Sequence, residues 1–254
     1  MLGQAFPERG GGEVHELGRS RDTRRRGAVE RTSLSPSAHT IYPLMKPLSL
    51  LLALGFGASL HAQDMDEPHR VVEVFRTVDA PAERVWEALV GDYGEISNYS
   101  PFIYASNYEA GSLEGEVGAE RKCYFDAKSK KYSHERIAEI DADAMRMKNV
   151  ILDVDGLPLD PDNSYAVYSV EDLGDGTSRA GYTFYMRTKP AFMGGLAAGS
   201  FEKSLNETLI GLEHYLTTGE RVTGGSDNAE AVLKEAKSTG TYDDYEGSVR
   251  KVKT

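Results

Sequence analysis

The sequence predicts an α+β fold: a curved antiparallel sheet of about seven strands wraps around one long C-terminal helix, and two short helices follow the first strand. Six strand-like runs succeed one another at spacings of roughly 10–15 residues between turn signals, as in an antiparallel meander. An apolar stripe then recurs at helical spacing near the C-terminus. The sheet and the helix can bury these apolar faces only against each other.

The elements are predicted in the following order. Residues 69–78 are rich in β-branched side chains and predict the first strand. A helix should begin at 79–83, where Pro81 suits the first turn, and end near Gly91. A second short helix is expected at 95–99. Further strands are predicted at 102–109, 117–126, 132–140, 145–154, 165–173 and 178–187.

The last predicted element is a helix over residues 191–216. Its apolar stripe consists of Phe201, Leu205, Leu209, Leu212 and Leu216. A glycine-rich segment, 193–199, lies at its beginning and suggests a flexible mouth of a pocket. The alternative is a loop before a helix that starts near Ser200. Residues 218–254 are polar and predict a tail of low order, with room for a short helix at 228–237.

The N-terminal segments differ from the rest. Residues 1–44 contain seven arginines and no period of 2 or 3.6, and we interpret them as a non-native extension without folded structure. Residues 45–62 have a short positive start, an uncharged apolar run (48–60) and Ala62 at the end, the order of a signal peptide. We therefore expect a periplasmic or secreted protein with no membrane span once the signal is removed. A buried helix is the alternative for this run.

Composition excludes several functions. The formal net charge of −11 argues against nucleic acid as a partner. Cys123 is the single cysteine, so an internal disulfide is excluded, and the scattered histidines form no metal-ligand motif. We expect no metal and no cofactor, and whether there is a protein partner stays unknown from the sequence.

Three segments carry a family resemblance. They are VVEVFRTVDAPAERVWEALVGDYGEISNYSPFI (71–103), GDGTSRAGYTFYM (174–186) and the long terminal helix. Together they resemble the START-like, helix-grip superfamily, also called SRPBCC or polyketide cyclase/dehydrase, over residues 69–217. The resemblance implies a deep apolar pocket between the sheet and the C-terminal helix. It does not fix a function, because members of the superfamily differ in function.

Strand alternation selects residues for this pocket. Ala180, Tyr182, Phe184 and Met186 share the predicted core face of the last strand. Arg121 shares a face with Val117, Ala119, Cys123 and Phe125, so it would need a protein acid or a ligand carboxylate as its partner. A bulge that returns Arg121 to solvent is the alternative. The residues predicted to contact ligand are Trp86, Tyr99, Phe102, Arg121, Cys123, Phe125, Tyr182, Phe184, Met186, Phe192, Leu196 and Phe201.

Three functions remain open at this point. The first is an exported binding or transport protein for a small hydrophobic ligand such as a lipid, a quinone or an aromatic molecule. The second is an enzyme of the cyclase/dehydrase kind. No residue is assigned as catalytic in it, although His134 and Arg121 could assist proton transfer. The third is a non-catalytic module that binds a protein partner and has a filled core.

Overall fold

The computed structural model describes residues 70–252. The predicted N-terminal extension (1–44) and signal peptide (45–62) lie outside the described residues, so both stay predictions. The chain begins with β1 (Arg70–Val78), followed by α1 (Ala82–Trp86). That helix continues as a π-helical turn, Glu87–Gly91, and a 3-10 helix follows at Tyr93–Asn98. The two short helices predicted after the first strand are therefore present.

The meander follows. Its strands are β2 (Ala105–Tyr108), β3 (Glu120–Tyr124), β4 (Tyr132–Asp141), β5 (Arg146–Asp155), β6 (Tyr165–Asp172) and β7 (Ser178–Met186). The third predicted strand is shorter than expected, because Gly118 takes a positive φ of 96° and a turn precedes β3. Val117 is consequently exposed and does not share the buried face of Ala119.

The long helix α2 spans Gly194–Thr218 after a 3-10 turn at Ala191–Met193. Its glycine-rich start is helical, so the alternative of a loop reaching Ser200 was wrong. Leu209 and Leu212 of the apolar stripe are fully buried, while Phe201, Leu205 and Leu216 are half-buried. Gly219 ends the helix in the left-handed conformation, with φ of 78°.

The C-terminal extension, residues 219–252, corrects the prediction of a polar tail of low order. It contains α3 (Asp227–Thr239), a 3-10 turn at Thr241–Asp243 and β8 (Glu246–Lys251). The short helix foreseen at 228–237 is present and slightly longer. Ser226 caps it by accepting a hydrogen bond from the backbone N–H of Ala229 at 3.1 Å, and Gly240 follows its end with a φ of 82°.

The extension has its own apolar contacts. Ile210 on the back of α2 packs with Val222, Ala229, Val232 and Ala236. These side chains are mostly small, and the segment around them is polar, so composition alone concealed them. The tail therefore orders because α2 is apolar on two sides, not one.

All eight strands form one antiparallel sheet in the order β2-β3-β4-β5-β6-β7-β1-β8. The first strand pairs with β7 on one side and with β8 on the other. The eighth strand was not predicted. The fold is helix-grip, with the sheet wrapped around α2 and the main core between them.

Candidate functional site

An inner cavity of about 80 Å³ lies between the concave side of the sheet and α2. It is large enough for several water molecules. Its walls are mainly apolar and come from the loop after the first helices, from four strands (β4 to β7), from the segments after β3 and β5, and from α2. The lining residues are Phe102, Ile103, Phe125, Ser133, Glu135, Asn149, Ile151, Leu157, Leu159, Ala166, Tyr168, Tyr182, Phe184, Phe201 and Leu205.

An outer recess of about 350 Å³ adjoins this cavity at the N-terminal end of α2. Met193, Leu196 and Ala197 line it from the helix side, and Lys131 lines it from the turn between β3 and β4. Pockets for drug-sized ligands commonly measure about 300–1,000 Å³. The recess reaches that range, whereas the inner cavity by itself does not.

The neck between the two spaces is aromatic. Phe102, Phe125, Leu157 and Phe201 line both the cavity and the recess. The rings of Phe102 and Phe125 are stacked, with centroids 5.9 Å apart and planes within 8°. A ligand that passes from the recess into the cavity must contact these rings.

Glu135 is the acidic group of the cavity wall. Its Oε2 accepts hydrogen bonds from Nε and Nη2 of Arg121 at 3.0 and 2.7 Å and from the Asn149 amide at 3.1 Å. Its Oε1 accepts a hydrogen bond from the Ser133 hydroxyl at 2.6 Å. Asn149 in turn accepts a hydrogen bond from the hydroxyl of Tyr93. The cavity therefore has one polar region in otherwise apolar walls.

Arg121 lies behind this wall and is 1% exposed. Besides Glu135, its guanidinium donates to the Tyr93 carbonyl oxygen at 2.8 Å and to the Tyr168 hydroxyl at 2.8 Å. It also stacks on the Tyr93 ring at 4.0 Å from the ring centroid. Of the alternatives that the sequence left open, the structure supplies the protein acid. No bulge turns the side chain towards solvent.

The protonation states of the wall follow from these contacts. Burial alone would raise the pKa of Glu135, but the Arg121 charge and the hydrogen bonds from Ser133, Arg121 and Asn149 together hold that pKa below its ordinary value. Burial raises the pKa of Tyr168 and of Tyr182 above the usual tyrosine range. At neutral pH the carboxyl is ionised and both phenols are protonated.

Tyr182 is the polar residue of the wall that lacks a partner. Its side chain is 1% exposed, and within residues 70–252 its hydroxyl forms no hydrogen bond. It faces Tyr168 across the β6–β7 pairing, with the rings edge to face and centroids 4.7 Å apart. A buried hydroxyl without a partner costs about 1–3 kcal/mol.

Half of the residues predicted to contact ligand line one of the two spaces. Phe102, Phe125, Tyr182, Phe184 and Phe201 line the inner cavity, and Leu196 lines the outer recess. The edge-to-face contact of Phe184 with Phe201, at 4.9 Å between centroids, joins the sheet to α2. Whether they contact a ligand stays a prediction.

The other six predicted residues do not line either space. Cys123 and Met186 are fully buried, and burial raises the pKa of the Cys123 thiol to about 12. Tyr99 is also buried, and its hydroxyl donates to the Ala88 carbonyl at 3.2 Å. Trp86, Arg121 and Phe192 complete this group, and Phe192 is 86% exposed beside the recess.

His134 lies outside the cavity. Its Nε2 is 2.9 Å from Oε2 of Glu120, and the side chain stays partly exposed. Its neighbours Ser133 and Glu135 line the cavity instead, because successive residues of β4 point to opposite faces. Its weak candidacy for proton transfer stays a prediction, and the structure places it on the face of β4 opposite the cavity-lining residues.

The polar wall was missed altogether from sequence. Ser133, Glu135, Asn149 and Tyr168 come from three strands, and none of them forms a recognisable motif. One signal was available: a buried arginine on β3 requires an acid, and Glu135 is the residue directly opposite Arg121 in the β3–β4 register.

Among residues 70–252, no group of three or more His, Cys, Asp or Glu side chains is placed to hold a metal ion. Over the same range, no helix combines the length and apolar character needed to cross a bilayer.

The family model described as polyketide cyclase/dehydrase and lipid transport matches residues 69–217, more than half of the chain. The chain belongs to this family. The match fits the START-like, SRPBCC resemblance of the sequence and ends just before Thr218, so the C-terminal extension lies beyond it. No curated protein matches the chain.

Several solved structures are similar to this member of the family. The protein XoxI from Bacillus cereus is 16% identical, covers 58% of this chain and 96% of its own, and has a TM-score of 0.48. A protein from Thermobifida fusca is 24% identical over 57% of this chain and 92% of its own, with a TM-score of 0.48. Ara h 8.0201 is 20% identical over 58% of this chain and 97% of its own, with a TM-score of 0.48.

Proposed function

We propose that this protein is an exported carrier that holds a small hydrophobic ligand between the sheet and α2. The observation that carries this proposal is the cavity itself. Aromatic and aliphatic side chains line it, and an aromatic neck connects it to a recess at the surface. A ligand that entered would exchange water for apolar contacts, which favours binding by about 25 cal/mol per Å² of buried apolar area.

The ionisable groups of the wall favour binding over proton-transfer catalysis. A general base or acid works best with a pKa near the working pH. Here the pKa of Glu135 lies below its usual value, while burial holds the pKa values of Tyr168 and Tyr182 above theirs. Each group is therefore fixed in one protonation state at neutral pH.

Ligand binding is tested by filling the cavity. Ala166→Phe places a ring in the inner cavity, where Ala166 is part of the wall. We expect it to abolish binding of the neutral fluorophore N-phenyl-1-naphthylamine, measured by fluorescence titration of the full chain. Ala127→Phe, at an exposed turn, is the matched control and should bind as wild type does. Equal binding by wild type and Ala166→Phe, with circular dichroism confirming both folds, would contradict the proposal.

The same variant can be used to identify the native ligand. Protein purified from the periplasm or medium is extracted with organic solvent, and the extract is analysed by mass spectrometry. We expect an apolar species in wild-type extracts that Ala166→Phe extracts lack. Recovery of the same species from both proteins would show that it binds elsewhere.

Export is proposed from residues 45–62 and is tested separately. N-terminal sequencing of the protein from the periplasm or medium should give a mature end close after Ala62. A mature end upstream of Met45 would contradict both the signal peptide at 45–62 and the interpretation of residues 1–44 as a non-native extension.

A further inference from the structure

We propose that the ligand is a neutral, mainly apolar molecule with a carbonyl or hydroxyl oxygen, and that Tyr182 binds this oxygen inside the cavity. This inference rests on the proposed carrier function and names the chemical class of its ligand. It begins from the hydroxyl of Tyr182, which is buried in the cavity wall and has no partner within the described chain. Such groups are rare in folded proteins and call for a partner from outside residues 70–252.

The neighbouring groups define what that partner can be. The Tyr168 oxygen accepts from Arg121, so its own proton remains available for donation. The Tyr182 hydroxyl is free both to donate and to accept. The wall thus offers two phenolic donors on adjacent strands, and they suit the lone pairs of a carbonyl or hydroxyl oxygen.

Glu135 adds an acceptor. Its Oε1 receives one hydrogen bond, from Ser133, and a carboxylate oxygen can accept a second. A hydroxyl on the ligand can donate to this oxygen. The pattern of two donors and one acceptor matches a molecule with a carbonyl and a hydroxyl, such as a phenolic ketone.

The same wall disfavours a carboxylate. Glu135 is ionised and lines the cavity, whereas its counter-charge Arg121 lies behind it and does not line the cavity. A ligand anion would therefore face a like charge first, in a site with few polar groups to replace its hydration. A free fatty acid is accordingly the wrong class of ligand for this end of the cavity.

The test uses three probes that share the naphthalene skeleton. They are 2-acetyl-6-hydroxynaphthalene, which carries both oxygens, 2-ethylnaphthalene, which has none, and 2-naphthoate, which is anionic. Each competes with N-phenyl-1-naphthylamine on the full-length protein at neutral pH. We expect the oxygenated neutral probe to bind most tightly and 2-naphthoate most weakly.

Tyr182→Phe removes the hydroxyl and keeps the ring. The variant should bind 2-acetyl-6-hydroxynaphthalene about three- to tenfold more weakly, as for one neutral hydrogen bond, and should bind 2-ethylnaphthalene as wild type does. Without ligand, the variant should melt about 2–4 °C higher than wild type, because it no longer buries a hydroxyl that lacks a partner. Tyr185→Phe is the matched control on the same strand, since this half-buried tyrosine stacks on Tyr165 and does not line the cavity.

The outcomes separate this inference from the proposed function. If 2-naphthoate binds as tightly as the neutral probes, or if Tyr182→Phe keeps the full preference for the oxygenated probe, the inference is wrong while the carrier function stands. If none of the three probes binds and the fluorophore does not bind either, the carrier function fails and the inference fails with it.

Discussion

The two halves of α2 differ in how firmly they are held. Residues 206–212 are buried on every side, with the sheet in front and the C-terminal extension behind. Residues 194–200 include three glycines and the exposed Leu196, and they border the outer recess. One helix therefore combines a fixed end with an accessible end. For the proposed ligand, this contrast predicts entry where packing is weakest, while the fixed half preserves the cavity.

Polar contacts strengthen the fixed half. The Asn206 amide donates to the Tyr242 carbonyl oxygen at 2.8 Å, and the Tyr242 hydroxyl donates to Glu207 at 2.7 Å. The buried Arg76 of β1 donates to the carbonyl oxygens of Thr241 and Asp244 at 2.7 and 3.1 Å. The extension is thus attached to both α2 and the sheet.

Removing the C-terminal extension should have the largest effect. A chain that ends after Thr218 exposes Ile210 and one edge of β1 and loses the packing of Val222 and Val232. At about 1.5–3 kcal/mol for each of these three apolar side chains, the lost burial amounts to about 4.5–9 kcal/mol, comparable to the whole stability of many domains. We expect unfolding or aggregation, measured by circular dichroism and light scattering. A chain that ends after Val252 is the control, and equal melting of the two would refute the role of the extension.

Breaking the buried ion pair of Arg121 and Glu135 should have the second-largest effect on stability. Glu135→Gln leaves the Arg121 charge without its counter-ion and should cost about 3–5 kcal/mol in the free energy of unfolding, measured with urea. Glu139→Gln on the same strand is the control, because its exposed pair with Lys148 contributes about 0–1 kcal/mol. Similar losses in the two variants would show that burial of the pair is unimportant.

Lowering the pH provides a second test of this ion pair. The pKa of Glu135 is lowered in the folded protein, so its stabilising effect is complete above the unfolded value near 4.5 and is lost as pH falls through the lower folded value. The difference in unfolding free energy between wild type and Glu135→Gln should therefore narrow below about pH 4.5. A difference that stays constant into stronger acid would contradict the assigned ionisation.

Leucine truncations test the two halves directly. Leu209→Ala, in the fixed half, should cost about 2–5 kcal/mol because it opens a cavity in the core. Leu196→Ala, in the accessible half, should change stability by less than about 0.5 kcal/mol, since this side chain is 75% exposed. Thermal unfolding measures both, and equal losses would remove the distinction between the halves.

The smallest expected effect on stability is that of a substitution in the accessible half of α2, beside the outer recess. Gly199→Ala should stabilise α2 by about 0.5–1 kcal/mol, because a Cβ there meets no atom within 4 Å and alanine favours the helix. If ligand enters through the accessible half, the same change should slow the association of N-phenyl-1-naphthylamine in stopped-flow measurements. The cavity itself should stay intact. Faster association would point to a different entrance.

The sequence predicted the main elements well and the polar site poorly. Strand and helix periods are local, so β1, the meander and α2 were found with small errors at their ends. The strand β8 is exposed at every residue, so it shows none of the apolar alternation by which strands are recognised. Glu135 was missed for another reason: its role depends on Arg121 across the sheet, a pairing that only the strand register reveals.

The position of β1 has a consequence for how the chain folds. This strand is synthesised before the rest of the sheet, yet both of its neighbours, β7 and β8, come much later in the chain: Glu73 binds Arg250, 177 residues further on. Contacts between such distant segments slow folding, because the loop between them must close first. The sheet cannot be completed until β8 has been synthesised. The export that we propose from residues 45–62 needs a chain that is still unfolded at the membrane, and this delay would favour such a chain.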